Sequence, residues 1–167
     1  MRVLIQRVSE ASVRVEGRLV GAIGPGGPGL LLFVGIAGDD GEPEIARMAS
    51  KIVNLRVFDD PDGLMNLSAM DLSASRPESV EMLVVSQFML YAEVARGRRP
   101  SFARAASPVL AAPLIERFAA LLEEFGCRIE RGVFGADMAV QLVNDGPVTI
   151  LIDSDDLRRA GVPGESG

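Results

Sequence analysis

The chain of 167 residues has no histidine and only one cysteine, Cys127. Without histidine there is no Ser-His or Cys-His nucleophile pair and no histidine-bearing zinc site of the HExxH type. One cysteine excludes an intrachain disulfide and a thiolate cage, and it points to a cytoplasmic location. No apolar run approaches the ~18 residues of a membrane span; the longest, Gly29–Ile36, suits a buried strand. The opening MRVLIQRVSE returns to charge at Arg7 and lacks a small-residue cleavage site, so no secretory signal is expected. Positive charge is in deficit as well, with 17 Lys and Arg against 23 Asp and Glu, a net charge of −6. That total repels phosphate, but screening over ~8 Å lets a local cluster act for itself. The one dense basic stretch is Arg96-Gly97-Arg98-Arg99, closed by Pro100, and its plain reading is a solvated loop. Any chemistry must therefore use carboxylates, hydroxyls, backbone groups or the substrate itself.

What is present is a globular composition, 48% hydrophobic and 24% charged. The length predicts one domain, residues 1–153, and the polar residues 154–167 read as a flexible C-terminal tail. Alternation predicts strands over Arg2–Val8, Ala11–Glu16 and Arg18–Ile23, the last two flanking a hairpin at Gly17. Further strands are expected over Leu30–Ile36, Glu81–Phe88, Cys127–Val133, Met138–Val143 and Val148–Asp153. Ile45, Met48, Ala49, Ile52 and Val53 form one apolar stripe of a helix from Glu42 to about Arg56. Ser107-Pro108 opens a second helix with a stripe of Leu110, Leu114, Phe118, Leu121, Leu122 and Phe125, stopped by Gly126. Asp59–Gly63 reads as a turn and Ser68–Ser79 as an exposed loop, with no functional reading for Ala74–Ser79. The expected class is α+β, a mixed or antiparallel β-sheet with two main helices.

Two motifs fail on context. Gly24-x-Gly26-x-x-Gly29 has the spacing of a dinucleotide fingerprint, but a strand follows it instead of a helix, and two prolines remove amides. Asp60-Pro61-Asp62-Gly63 resembles part of a calcium loop whose first and twelfth ligand positions would be Phe58 and Ala69, which cannot coordinate. No set of metal ligands remains, and Cys127 reads as a packed small hydrophobe.

Two segments break the pattern around them. In Ser86-Gln87-Phe88-Met89 an apolar strand abruptly presents a hydroxyl and an amide, either a polar strand end or part of a site. Asn144-Asp145-Gly146-Pro147-Val148-Thr149 lies between two strand patterns, either a hairpin turn or a functional loop.

With their neighbours these segments resemble the D-aminoacyl-tRNA deacylases of the bacterial and eukaryotic type. The motifs that carry the resemblance are Gln6-Arg7-Val8, Glu10-Ala11-Ser12-Val13, Lys51-Ile52-Val53-Asn54-Leu55-Arg56 and Met65-Asn66-Leu67-Ser68. They continue through Ser86-Gln87-Phe88, Gly97-Arg98-Arg99-Pro100-Ser101-Phe102, Phe134-Gly135-Ala136-Asp137-Met138 and Leu142–Thr149, covering roughly residues 1–154.

The resemblance implies a sheet curled toward a barrel and a homodimer with its active site at the subunit interface. It implies hydrolysis of the ester of D-aminoacyl-tRNA, and of mischarged glycyl-tRNA, as chiral proofreading in translation, with no cofactor and no metal. Ser86, Gln87, Phe88 and Met89 would be the catalytic segment, the first three forming the pocket floor, with backbone amides around Gln87 and Phe88 holding the oxyanion and the ribose 2′-OH positioning water. Gly146 and Pro147, joined by a cis peptide, would enter the partner subunit's pocket and accept from the substrate's α-ammonium. Backbone packed against the α-carbon there excludes an L side chain and leaves a D side chain free. Arg7, Asn144 and Thr149 would support that loop, and Arg96, Arg98 and Arg99 would meet phosphates of the tRNA 3′ acceptor end. The family usually has threonine where this chain has Met89. A thioether cannot accept an acyl group, so a covalent threonine ester is impossible here and an RNA-assisted mechanism remains. Ser86 has no recognisable base and takes a hydrogen-bonding role. The alternative is a non-catalytic dimeric RNA- or protein-binding module that has lost turnover.

Overall fold

The computed structural model describes residues 1–76, 79–95 and 97–160. Its centre is a six-stranded sheet built around one long strand, β1 (Arg2–Val15). β1 turns into β2 (Arg18–Ile23) through Glu16 and Gly17, both at positive φ, as a two-residue hairpin turn requires. The first half of β1 pairs antiparallel with β3 (Gly29–Gly35), and its second half with β2. β6 (Glu81–Ser86) lies parallel to β3, and β7 (Arg128–Arg131) lies parallel to β6. Between β3 and β6 the chain passes through α1 (Glu42–Val53), a small hairpin of β4 (Phe58–Asp59) and β5 (Met65–Leu67), and α2 (Ala69–Ser75). A 3-10 turn, Phe88–Tyr91, follows β6, and α3 (Pro108–Glu124) leads to β7. β8 (Ala139–Asp153) runs antiparallel along the whole of β1, and α4 (Ser154–Ala160) ends the described chain.

The sheet curls until its ends nearly meet. A Cβ on Gly21 of β2 would lie 2.7 Å from the carbonyl oxygen of Arg131 in β7, so only glycine fits at this close approach. The main core lies between the sheet and the helices, with Ile45, Met48, Ile52, Phe118 and Leu122 packed on Ile5, Leu32, Val34 and Met82. A smaller core of Val8, Val13, Leu31, Leu83 and Val85 fills the inside of the curl.

The α1 stripe is buried at all five of its expected positions. On α3 the buried face is rotated toward Ala111, Ile115, Phe118, Ala119 and Leu122, leaving Leu110 half-buried; the small alanines are what lets the helix sit close to its neighbours. The turn at Asp60 is held by its own carboxylate, which accepts from the amides of Asp62 and Leu64, both at 3.0 Å, and from Asn66 Nδ2 at 3.2 Å.

Four expectations require correction, the first being that Arg2–Val8 and Ala11–Glu16 are one continuous strand, β1. Ser68–Ser79 contains the helix α2, capped by Ser68, whose hydroxyl accepts from the Asp71 amide while Asp71 accepts from the Ser68 amide. The segments Met138–Val143 and Val148–Asp153 are one strand, not two. Both continue antiparallel to β1, so the residues between them form an outward loop and do not reverse the chain. The tail expected at 154–167 begins with the ordered helix α4, while 161–167 lie outside the described residues.

The anchor of α4 is the Met1 ammonium, which is fully buried and donates to Asp40 and, at 2.6 Å, to the hydroxyl of Ser154. Asp40 also accepts from the Ala37 amide at 2.6 Å, and the Ser154 amide donates to the Met1 carbonyl at 2.8 Å. Met1 and the first residue of α4 thus meet on one carboxylate beside the start of α1.

Candidate active site

β6 ends at Ser86, opposite Val34 of β3. The Gln87 amide makes one more ladder bond, 2.7 Å to the Val34 carbonyl, and the backbone then tightens into the 3-10 turn. Gln87 caps that turn, its side-chain oxygen accepting from the Met89 amide at 3.3 Å. The Leu90 amide returns to the Gln87 carbonyl at 3.3 Å. These bonds leave the Phe88 N–H without an acceptor, and the Ser86 hydroxyl likewise has no partner among the described residues. Of the two amides expected at an oxyanion, that of Gln87 is committed to the sheet and that of Phe88 has no partner among the described residues.

Beside this turn lies a cavity of about 370 Å³. Its walls are apolar, among them Val34, Ile36, Phe102, Ile115 and Phe134, with Ser86 and Gln87 as the polar groups at its edge. Phe88 and Phe102 meet edge to face, with ring centroids 5.0 Å apart. Met89 is 55% exposed and does not line the cavity, so the residue that departs from the family pattern stands outside it.

Gly146 and Pro147 are elsewhere. Thr149 pairs with Gln6 and Asn144 with Val8, so the four residues 145–148 bulge out opposite Arg7 alone. The Gly146–Pro147 peptide is cis, as the resemblance implies. Arg7 is nearly buried beneath the loop and donates to the Val57 carbonyl at 2.8 Å and to Asp59 at 3.1 Å. Its Nε lies 3.0 Å from an Asp145 carboxylate oxygen, a charge contact without hydrogen-bond geometry, since that N–H has no acceptor in line. Asn144 donates to the carbonyls of Arg7, at 3.0 Å, and Val148, at 2.9 Å. Thr149 is exposed and accepts from Gln6 Nε2 at 3.2 Å.

Within one chain these two groups of residues are not brought together. β3 pairs Val34 with Val3 and Leu30 with Arg7, and Ser86 lies beside Val34. The loop and the cavity are thus separated by the stretch from Val3 to Arg7, roughly 13 Å at ~3.3 Å per residue.

Arg98 and Arg99 are exposed at the tip of a loop closed by the mutual backbone bonds of Glu93 and Ser101, at 2.8 and 3.0 Å. Neither is in an ion pair among the described residues, and Arg96 lies outside them. The loop leads directly into Phe102 on the cavity wall.

Sequence reasoning missed the packing of Tyr91, the buried last residue of the turn. The Arg2 guanidinium lies 4.7 Å and that of Arg104 5.5 Å from its ring centroid. Burial first, and then the charges of Asp40 and Asp153, hold the Tyr91 hydroxyl neutral well above its ordinary titration range. No run of the sequence signals this cluster, because residue 2 meets residue 91 only through the sheet. Cys127 is buried, as expected, and burial pushes its thiol up to about 11, so it stays protonated at neutral pH. No group of three or more metal-ligating side chains occurs among the described residues, and no described helix is long and apolar enough to cross a membrane.

The sequence profile described as D-Tyr-tRNA(Tyr) deacylase matches residues 4–153. The chain is 54% identical over 154 residues to the D-aminoacyl-tRNA deacylase of Roseiflexus castenholzii, covering 92% of each. It is 52% identical over 153 residues to the protein of that name from Mycobacterium tuberculosis, covering 92% of this chain and 99% of the relative. Among solved structures, a c-Myc DNA unwinding element binding protein superposes with a TM-score of 0.81 at 38% identity, covering 92% of this chain and 98% of that one. A structure described as a probable eukaryotic D-amino acid tRNA deacylase shares the fold, with a TM-score of 0.75 at 17% identity, covering 90% and 97%. With a profile matched along nearly its whole length and relatives sharing about half its residues, the chain belongs to the D-Tyr-tRNA(Tyr) deacylase family.

Proposed function

We propose that this chain hydrolyses the ester of D-aminoacyl-tRNA, and of mischarged glycyl-tRNA, releasing the amino acid and tRNA as a proofreading step of translation in the cytoplasm. The observation that carries the reading is the unpartnered Phe88 amide on the rim of an apolar cavity with aromatic walls. An aminoacyl ester is already activated, so water can attack its carbonyl without a protein base. The developing oxyanion accepts from the Phe88 amide, with the Ser86 hydroxyl as a second donor, and one such donor is typically worth ~10²–10³ in rate. Collapse of the tetrahedral intermediate breaks the bond to the ribose oxygen, which takes a proton and leaves as the tRNA hydroxyl. The neighbouring 2′-OH holds the attacking water. Phe88, Phe102 and Phe134 offer faces for the terminal base, since aromatic stacking accepts any base.

The enzyme works as a homodimer, because one chain holds the cavity and the Gly146–Pro147 loop apart and a second copy supplies the missing element. Two features support this. β8 pairs only with β1 among the described strands, so its other edge is open, and the strand exposes Val143 and Leu151. In the assembled site the loop of one subunit lies against the substrate's α-carbon in the other. Its carbonyls accept from the α-ammonium, and its backbone leaves no space for an L side chain. Glycine, with no side chain, is admitted. Arg98 and Arg99 meet phosphates near the acceptor end.

The test is the lifetime of matched D- and L-tyrosyl-tRNA with catalytic amounts of protein, alongside sedimentation analysis of the protein alone. Rapid loss of only the D ester from a dimeric protein is expected. Survival of both esters while tRNA still binds would replace this reading with the binding module that Met89 favours.

A further inference from the structure

We propose that Arg2 is a positioning residue for the deacylation, setting the pitch of the turn that carries the free Phe88 amide. The inference rests on the function proposed above and concerns a residue that does not line the cavity. The turn is pinned at both ends. At its start the Gln87 amide donates to Val34 at 2.7 Å. At its end Arg2 Nη1 donates to the Leu90 carbonyl at 2.9 Å. Phe88 lies between the two pins.

Arg2 is itself held on two further sides. Its Nε donates to Asp153 at 2.7 Å, and its guanidinium lies over the buried Tyr91 ring. The Asp153 bond raises the Arg2 pKa. Burial alone would raise Asp153, but the Arg2 bond and the Asp155 amide outweigh it and hold that carboxyl below its ordinary range. Gly35, paired with Arg2, completes the seat. A Cβ there would come within 3.0 Å of the Gln87 carbonyl oxygen and 3.2 Å of Leu90 Cβ, so the turn rests directly on sheet backbone.

The same ring carries a second guanidinium. Arg104, near Phe102 in sequence, lies over Tyr91 as well and is 3.8 Å from Asp155 of α4. Arg2 thus supplies a planar fork and a stacking face together, which an ammonium cannot reproduce. An oxyanion donor works only within a few tenths of an ångström of its productive position. Loosening one end of the turn therefore acts on the chemical step while the binding walls remain.

The experiment compares Arg2→Met and Arg2→Lys with Arg117→Met, which breaks the exposed pairs of Arg117 with Glu42 and Glu124. Single-turnover hydrolysis of D-tyrosyl-tRNA gives the maximal rate and the half-saturating protein concentration. The ¹H–¹⁵N resonance of the Phe88 amide reports the turn directly, and thermal melts report folding. Arg2→Met is expected to lower the maximal rate about 10- to 100-fold, with half-saturation changed less than about threefold. The Phe88 resonance should move, Arg2→Lys should recover only part of the rate, and Arg117→Met should change neither. An unmoved resonance with an unchanged rate in folded Arg2→Met would overturn the proposal. So would a rate loss that merely follows the fraction unfolded. If the unsubstituted protein hydrolyses neither ester, the proposed function fails, and the Phe88 resonance still decides whether Arg2 sets the turn.

Discussion

The Asn144 side-chain amide donates to the Arg7 carbonyl at 3.0 Å and closes the neck of the Gly146–Pro147 loop, which bulges from β8 opposite Arg7. The same amide reaches the Val148 carbonyl at 2.9 Å, so one side chain ties both ends of the loop to the neighbouring strand. Asn144→Ala leaves two half-buried acceptors unpaired, at about 1–3 kcal/mol for such a loss. For a chain of this size that is a fall in Tm of roughly 2–4 °C per kcal/mol. We expect this fall together with a lower ratio of D- to L-tyrosyl-tRNA hydrolysis, read from thermal melts and ester lifetimes. A stable variant with undiminished selectivity would separate the neck from chirality.

Gly146 is the second point of sensitivity. Its φ is +116°, and an added Cβ would meet Val148 Cγ2 at 2.9 Å, the Val148 amide nitrogen at 3.0 Å and Arg7 Nη2 at 3.2 Å. Gly146→Ala must shift the backbone of the loop, a strain of order 1–3 kcal/mol. The expected outcome is at least a tenfold slower hydrolysis of the D ester by a protein that remains folded by circular dichroism. An alanine variant of full activity would show that this backbone does not meet the substrate.

The Met1 ammonium and Asp40 form a buried pair, with Ser154 completing the cluster. Asp40→Ala leaves a buried cation without its counter-charge, which typically costs about 3–5 kcal/mol. Urea unfolding should show this loss. Ser154→Ala removes two hydrogen bonds, one accepted from the Met1 ammonium and one donated to Asp40, but leaves the charge pair intact, and should cost only about 1–2 kcal/mol. Equal effects of the two substitutions would argue that the charge pair is not the anchor.

The Cys127 thiol, pushed up to about 11 by burial, predicts both its reactivity and an alkaline signature. Native protein at pH 7.5 should resist maleimide, and urea-unfolded protein should react. An unfolded thiol titrates near ~8.5, so between there and about 11 the unfolded chain loses a proton that the native chain keeps. The stability this buried thiol contributes is therefore complete below ~8.5 and is lost as pH rises toward the native value. Cys127→Ala should lose about 2 kcal/mol less than the unsubstituted protein between pH 8 and pH 10. Identical pH slopes would refute the assignment.

Arg98 and Arg99, exposed and without ion pairs among the described residues, are free to release counterions from RNA. If both meet phosphates, replacing them with glutamine should flatten the log–log salt dependence of tRNA binding by about 0.7 for each single-strand phosphate no longer neutralised. Filter binding over a range of salt measures this slope. An unchanged slope would return these residues to a solvated loop.

Local pattern was sufficient wherever a segment makes its structure from its own neighbours. The α1 stripe from Ile45 to Val53 recurs at the helical period and is buried as that period requires. The Asp60 turn is closed by its own carboxylate, and the hairpin at Gly17 by two residues at positive φ. The motifs around Ser86 and Gly146 were legible as interruptions of strand pattern, and together they pointed to the family. α2 was missed because it spans only seven residues, too few for a helical period to show, and is fixed by the Ser68–Asp71 box together with packing of Ala69, Met70 and Leu72 on the core.

The rest was decided by pairings between residues far apart in the chain. Nothing near Asn144 distinguishes a hairpin turn from a bulge within one strand; continued pairing with β1 on both sides of the loop makes it a bulge. Likewise, the polar run after Asp153 becomes a helix because its first residue meets the Met1 ammonium and Asp40. Which amide stays free at the site is also tertiary, since Gln87 commits its N–H to Val34 and Arg2, 88 residues earlier in the chain, reaches across β3 to hold Leu90. Sequence by itself determined the elements and the chemical inventory: no histidine, one buried thiol, a Ser-Gln-Phe strand end and a Gly-Pro pair. The tertiary structure decided which of those groups keep an unsatisfied donor or acceptor. That choice depends on partners tens of residues away, which no local period encodes.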